Sequence, residues 1–308
     1  MNTNQKAYLK LSAAMAIAGS SVVVGKLIVQ SFPIFLANAL SLAISSIILL
    51  TLLIRHEKGI PSIGKKQKFI LLCQALTGVF LFRVFLFFGL KFTTAIDSGI
   101  ITSSTPALIG LISFFFLKEK LGWKTSVGIG LAVLGILSIN LPETSLTVAS
   151  GANSFLGNLL VFGAVVNEAL YTIFTKTTSL KVTPLTASTS VSVLGLLMFL
   201  PLALYEAKGF DFSTVSLTDW LPIIYYGSAV SVIAYVLWFQ GISKVPASVA
   251  GVFSGVMPVS TLLLSFVILK EPFVRSHLVG IVCVLLAIGL IAISSQKVKG
   301  EQDSRNSY

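Results

Sequence analysis

Three observations predict an all-α integral membrane protein of ten transmembrane helices, built as two inverted five-helix repeats. The first is composition: 55% of the 308 residues are hydrophobic and 11% charged, against roughly 25% charged in a soluble domain. The second is an internal repeat. Pro106 matches Pro258, Glu119 matches Glu271 and Gly128 matches Gly280, each pair 152 positions apart. Lys118-Glu119 returns as Lys270-Glu271, and Gly89 as Gly241. Further upstream the register drifts slightly, pairing Pro33 with Pro184 and Lys26 with Lys176. Solenoid repeats run about 20–50 residues, so a period this long is a duplicated half-protein. The third observation is the placement of the basic residues, which orients the helices.

The elements follow in order from runs long enough to cross a bilayer, about 18–20 apolar residues each. In the first half they are 8–28, 33–54, 69–90, 94–117 and 121–140. Lys6 and Lys10 before the first run resemble a signal sequence, but further spans follow, so this segment reads as a retained first helix. No Asp, Glu, Lys or Arg interrupts Leu27–Ile54. The second half offers 155–175, 184–205, 221–242, 246–269 and 275–294, with uncharged stretches Val182–Tyr205, Leu221–Ser243, Val245–Leu269 and Ser276–Gln296. Pro33, Pro184, Pro222 and Pro246 stand at span starts, where a missing amide hydrogen costs little. The domains are therefore residues 1–142, residues 143–296 and a polar tail at 297–308. Cys73 and Cys283 each fall within a span and read as inert core residues.

With the N-terminus placed in the cytoplasm, 16 Lys and Arg side chains fall on the inner side and 5 on the outer, with Arg83 inside a helix completing the 22. That bias predicts both termini cytoplasmic in a multi-pass protein of the cell membrane. It also accounts for the net charge of +11 without nucleic acid, since no basic patch interleaved with aromatics stands apart from the spans. Five helices per half is an odd number, so the second half starts from the opposite side. Inverted repeats are a common architecture of secondary transporters. Two similar halves in opposite orientation can exchange shapes, and the exchange turns an inward-open state into an outward-open one. A duplicated scaffold without transport is the plainer alternative.

The segment from Pro106 through Phe114-Phe-Phe-Leu-Lys-Glu119, repeated from Pro258 through Phe266-Val-Ile-Leu-Lys-Glu271, is similar to the end of the fourth helix in the EamA family of the drug/metabolite transporter superfamily. Phe87-Phe-Gly-Leu-Lys-Phe-Thr-Thr-Ala95 and Trp238-Phe-Gln-Gly-Ile-Ser-Lys-Val-Pro-Ala247 resemble the preceding turns. The resemblance covers about residues 8–294. It implies ten helices around a central cavity and export of small metabolites, amino acids or drugs. An importer, such as a sugar or nutrient permease, shares the architecture. In the second helix Asn38 stands where many relatives carry a basic residue.

Candidate residues come from what a membrane interior tolerates poorly. Arg83, Asp97 and Glu168 are the ionisable residues well within spans, and such groups are expensive unless they face protein or a cavity. Counting from a turn near Phe92, Arg83 and Asp97 differ in height by about 6 Å, so they can pair. Alternatively Arg83 grips a substrate carboxylate or phosphate through its planar fork. Glu168 can exchange a proton or bind a substrate amine; the other readings are a carboxyl held by Tyr171 or Asn167, or one exposed in a vestibule. Tyr235, which matches Arg83 across the repeat, and Trp238 share a helix face and suit a planar or cationic substrate. Tyr225 and Tyr226, near a span end, read as interfacial anchors. Pro106 and Pro258 fall near mid-span and would free the carbonyls of Thr102 and Ser254, bending both helices beside the cavity. Ala95, Gly99 and Ser103, with Ala247, Gly251 and Gly255, form small-residue stripes for close packing or sliding. Lys118-Glu119 and Lys270-Glu271 read as turn-closing pairs.

No HExxH, GxSxG or P-loop occurs, which argues against an enzyme and against a nucleotide-driven pump. No cofactor or metal is implied. The expected partners are a small-molecule substrate, the lipid bilayer and protons as coupling ion. Oligomeric state leaves no mark on the sequence.

Overall fold

In lipid an unpaired backbone N–H or C=O is costly, and helices satisfy both within one segment. The computed structural model follows that rule: among the described residues there are helices and turns and no strand. It describes residues 3–57, 63–105, 107–109, 111–112, 123–139, 152–178, 181–244, 253, 255–272, 277–283, 285–287 and 289–290. Six helical stretches are long and apolar enough to cross a membrane: Gln5–Ser31, Ile34–Glu57, Lys65–Phe92, Asn153–Thr178, Pro184–Gly209 and Leu217–Ile242. Three shorter apolar helices add to these: Ser126–Gly135, Val256–Leu269 and His277–Ala287.

Helix α1 is Thr3–Ser31 and α2 is Ile34–Glu57, separated at Pro33. The next span is composite: α3 (Lys65–Gln74), a π-helical segment (Ala75–Leu81) and α4 (Phe82–Phe92). Helix α5 (Ala95–Thr102) begins at an N-cap Thr94 whose side chain accepts the Asp97 N–H. Then come α6 (Trp123–Ile139), α7 (Ala152–Thr178) and α8 (Pro184–Gly209). Pro184 takes the first position of α8 behind Thr183, whose hydroxyl accepts the Thr186 N–H. Helix α9 (Leu217–Tyr225) continues through a second π segment (Tyr226–Ala234) into α10 (Tyr235–Ile242). Helix α11 (Val256–Leu264) and a third π segment (Ser265–Leu269) precede α12, His277–Ala287. The first and second π segments occupy matching places, since 75 plus the 152-residue period is 227.

Two expectations change. Pro222 does not begin a helix: α9 starts five residues earlier, where the Asp219 carboxylate accepts the Ser216 N–H at 2.9 Å. Nor is 94–117 one continuous helix. Four consecutive hydroxyls turn on their own backbone: Thr102 and Ser103 donate to the Gly99 carbonyl, Ser104 to Ile101 and Thr105 to Thr102. Side chains that compete for helix carbonyls favour a turn, and a turn stands at Ser103–Ser104. The Lys118-Glu119 turn, Ala247, Gly251, the linker at 142–143 and the tail 297–308 lie outside the described residues.

Packing is reciprocal between the sequence halves. Helix α1 lies against α10 and α11, while α7, its counterpart, lies against α4 and α5. Backbone closeness enforces both contacts. A Cβ on Gly89 would sit 2.9 Å from the Gly157 carbonyl oxygen, and one on Gly241 would sit 2.6 Å from Leu11 Cγ. The counterpart helices α2 and α8 also pair directly, and α5 lies against α11. Polarity is inverted relative to a soluble domain. Ile47, Leu197 and Leu221 are exposed, whereas Ser45 and Ser192 are buried and meet Oγ to Oγ between α2 and α8. That distribution suits lipid outside and hydrogen bonds inside.

Candidate functional site

A cavity lies between the halves. Its walls come from α1, the two long π segments and the helices after them, the stretch around Thr105, α7 and Met257. Four residues singled out from the sequence line it: Arg83, Glu168, Tyr235 and Trp238. Tyr171 and Tyr226 line it too.

Arg83 is 1% exposed. Its Nη2 donates to Ser231 Oγ at 2.7 Å, and Nη1 donates to Ser41 Oγ at 3.1 Å and Asn38 Oδ1 at 3.4 Å. Each acceptor is oriented by a bond of its own. Ser231 donates its proton to the Tyr226 carbonyl, Ser41 to the Asn38 carbonyl, and the Asn38 amide to the Ile34 carbonyl. The oxygens are thus left with lone pairs toward the guanidinium. The Ser231–Tyr226 bond spans five residues, the spacing of the π segment that carries it. The guanidinium carbon stands 4.8 Å from the Tyr226 ring centre, a cation–π distance. Among the described residues no carboxylate lies within ion-pair distance of Arg83. Among the described residues, neutral groups hold this buried cation.

Glu168 meets Thr105, not Tyr171 or Asn167. Its Oε2 is 3.1 Å from Thr105 Oγ1, while Asn167 donates to the Gly163 carbonyl on its own helix. Aromatic rings close another wall. Tyr171 and Tyr235 stand 6.3 Å apart by ring centres, and Trp238 is buried. The Tyr171 hydroxyl is buried without an aligned hydrogen-bond partner.

The Arg83–Asp97 pair is not formed. The height estimate allowed it, but direction around the helix axis forbids it: Arg83 faces α2 and the second π segment, and Asp97 faces α12. Asp97 Oδ1 lies 3.1 Å from His277 Nε2, close enough for an ion pair though not aligned as a hydrogen bond. Thr93 Oγ1 lies 3.4 Å from its other oxygen, and that hydroxyl donates to Asn158 Oδ1. Asp97 therefore belongs to a cluster at the α4–α5 turn, away from the cavity lining. There Lys26 Nζ donates to the carbonyls of Leu90 and Thr93, closing the end of α4. Lys270, at φ 53°, is the described non-glycine residue with left-handed backbone, and it turns the chain so that Glu271 reaches α5.

The prolines divide. Pro258 is buried in the first turn of α11, where its missing amide hydrogen has no helical bond to lose. Pro106 and Ser254 lie outside the described residues. The Thr102 carbonyl accepts the Thr105 hydroxyl at 2.7 Å. Sequence reasoning missed Thr105, and it set Tyr226 at the interface, where the structure buries it at 1% exposure beneath Arg83. The hydroxyl run Thr102–Thr105 before a proline was the available signal for the first.

The chain matches the EamA-like transporter family twice, over residues 5–141 and 155–293. It is 48% identical over 291 residues to the uncharacterized transporter YetK of Bacillus subtilis, covering 94% of this chain and 88% of that one. An uncharacterized transporter of Archaeoglobus fulgidus is 30% identical over 217 residues, 70% of this chain and 74% of its own. A solved structure described only as a crystal structure of protein superposes with a TM-score of 0.65 at 16% identity, covering 96% of this chain and 99% of that one.

Proposed function

This chain belongs to the EamA-like transporter family, and we propose that it is a secondary carrier exporting small metabolites, amino acids or drugs across the cell membrane. In this reading ten transmembrane helices form two inverted five-helix repeats with both termini cytoplasmic. Alternating access arises as the halves exchange postures around the cavity. The reciprocal packing of α1 and α7 supports it, because each half then supplies one wall of the other. The imbalance of 16 inner to 5 outer basic residues supports the orientation.

The observation that carries the substrate reading is Arg83. A buried cation without a carboxylate partner is expensive, and it sits on a cavity wall. A carboxylate or phosphate on the substrate would relieve that cost through the guanidinium fork. Tyr235 and Trp238 offer faces to a planar or cationic part, and Glu168 takes a substrate amine or a coupling proton. Transport then runs on a proton gradient or on the substrate's own.

The deciding experiment is counterflow in proteoliposomes against a pooled metabolite set, with and without a pH gradient. Exchange of anionic, partly apolar compounds is the expected result. No exchange of any compound across a lipid-reconstituted, folded protein would replace the carrier reading with the scaffold one. Import and export use the same cavity, and the imposed gradient decides the direction.

A further inference from the structure

The Thr105 hydroxyl has two neighbours and one proton. Oγ1 lies 2.7 Å from the Thr102 carbonyl oxygen and 3.1 Å from Glu168 Oε2. Both of these oxygens accept when Glu168 is ionised, so one proton cannot serve both. Both contacts are satisfied together only when Glu168 is protonated: the carboxyl O–H then donates to Thr105, and Thr105 donates to Thr102. Proline at position 106 has no N–H for the Thr102 carbonyl, four residues back, and the hydroxyl stands in for it. Thr105 is 3% exposed and Thr102 2%, so solvent does not substitute readily.

We propose that Thr105 is the residue that couples protonation of Glu168 to the helix break at Ser103–Ser104. The inference rests on the reading of Glu168 as a proton-coupling group. When Glu168 loses its proton to solvent, the carboxylate draws the Thr105 O–H to itself. The Thr102 carbonyl is then left without a donor at membrane depth, where that is costly. The turn at 103–105 must open or seek another donor. When the proton returns, the relay closes and the turn tightens. A proton on one half thus changes the shape of a broken helix on the other, which is what a proton-coupled carrier requires.

The groups that face Glu168 across the cavity are Arg83 from α4, Tyr226 and Tyr235 from the second π segment and α10, and Tyr171 on its own helix. Asp97 on α5 is held at the far end by His277. Lys65, Lys66 and Lys68 stand exposed at the start of α3. Arg83 is the cation among them, and its hydrogen bonds go to Asn38, Ser41 and Ser231.

The test needs only protons as probe. Full-length protein in lipid nanodiscs is titrated while infrared spectroscopy follows the protonated carboxyl stretch, assigned by its loss in Glu168→Gln. Amide hydrogen exchange at residues 102–108, corrected for intrinsic rates, is followed in parallel. In the wild type, exchange there should rise about tenfold as the band disappears. Thr105→Val should shift the band to higher frequency and abolish the pH dependence of exchange. Thr105→Ser should keep both as in the wild type, and Glu168→Gln should hold exchange low at every pH. A titrating Glu168 band with Thr105→Val indistinguishable from the wild type would overturn the relay and leave the carrier reading intact. A carboxyl at 168 that never titrates would overturn the proton-coupled reading together with the relay.

Discussion

Glu271 caps Ala95 from the other half of the chain: its two carboxylate oxygens accept the N–H groups of Ala95 and Ile96 at 2.9 Å each. A carboxylate at a helix N-terminus satisfies orphan donors and meets the positive end of the helix dipole. Here the cap also joins residues 176 positions apart. It ties α5 to the end of the third π segment, beside Lys26 and Asp97.

Glu271→Ala should therefore cost about 1–2 kcal/mol, the usual loss for an N-cap. Glu271→Gln keeps one good acceptor and should cost less than half of that. Denaturant unfolding in mixed micelles measures both. Equal stability of all three proteins would mean that the cap is not made in the membrane.

Arg83 leads to a prediction of unusual sign. Removing one partner of a buried ion pair destabilises a protein, but removing a buried charge that has no counter-charge relieves a desolvation cost. Arg83→Met, neutral and similar in length, should leave the substrate-free protein unchanged or up to about 2 kcal/mol more stable, while substrate exchange is lost. Arg83→Lys keeps the charge without the fork and should weaken exchange at least about tenfold. A large loss of stability in Arg83→Met would assign Arg83 a structural role instead.

The parts of this molecule that were readable in the residues are those that depend on one dimension. Apolar runs gave the positions of the long helices, and the 152-residue period tied Arg83 to Tyr235, both of which line the cavity. Properties that depend on direction around an axis were not readable. Arg83 and Asp97 stand at compatible heights yet face apart, and Tyr226 looks interfacial by position although the π segment turns it inward. Hydropathy likewise runs through Thr102–Thr105 without sensing that four hydroxyls fold back on the backbone there. Broken spans of this kind escape a reading that counts residues per crossing.

Gly78 sets the depth of the cavity wall. A Cβ placed there would lie 2.2 Å from Tyr171 Cδ2, a contact that real side chains do not tolerate. Gly78→Ala must displace the Tyr171 ring, at a cost of about 1–3 kcal/mol. Exchange of bulky substrates should fall several-fold, and of small ones less. The double variant Gly78→Ala, Tyr171→Leu should restore much of the stability, which thermal unfolding would register. Additive losses in the double variant would show that the two residues do not touch.

Glu168→Gln separates carrying from coupling. Glutamine has the size of the protonated acid and can donate its amide hydrogen to Thr105, so the fold and the cavity should persist, with stability within about 1 kcal/mol of the wild type. Substrate counterflow, in which the carrier returns loaded and no net proton moves, should continue within a few-fold of the wild-type rate. Accumulation driven by an imposed pH gradient should vanish, because no carboxyl remains to pick up and release the proton. The two assays use the same proteoliposomes and differ only in the gradient imposed, so a poorly inserted variant would fail both and be recognised as such. Undiminished gradient-driven accumulation by Glu168→Gln would remove this carboxyl from the mechanism. It would leave Glu168 at most a substrate-amine role, in which case counterflow of amine-bearing substrates alone should suffer.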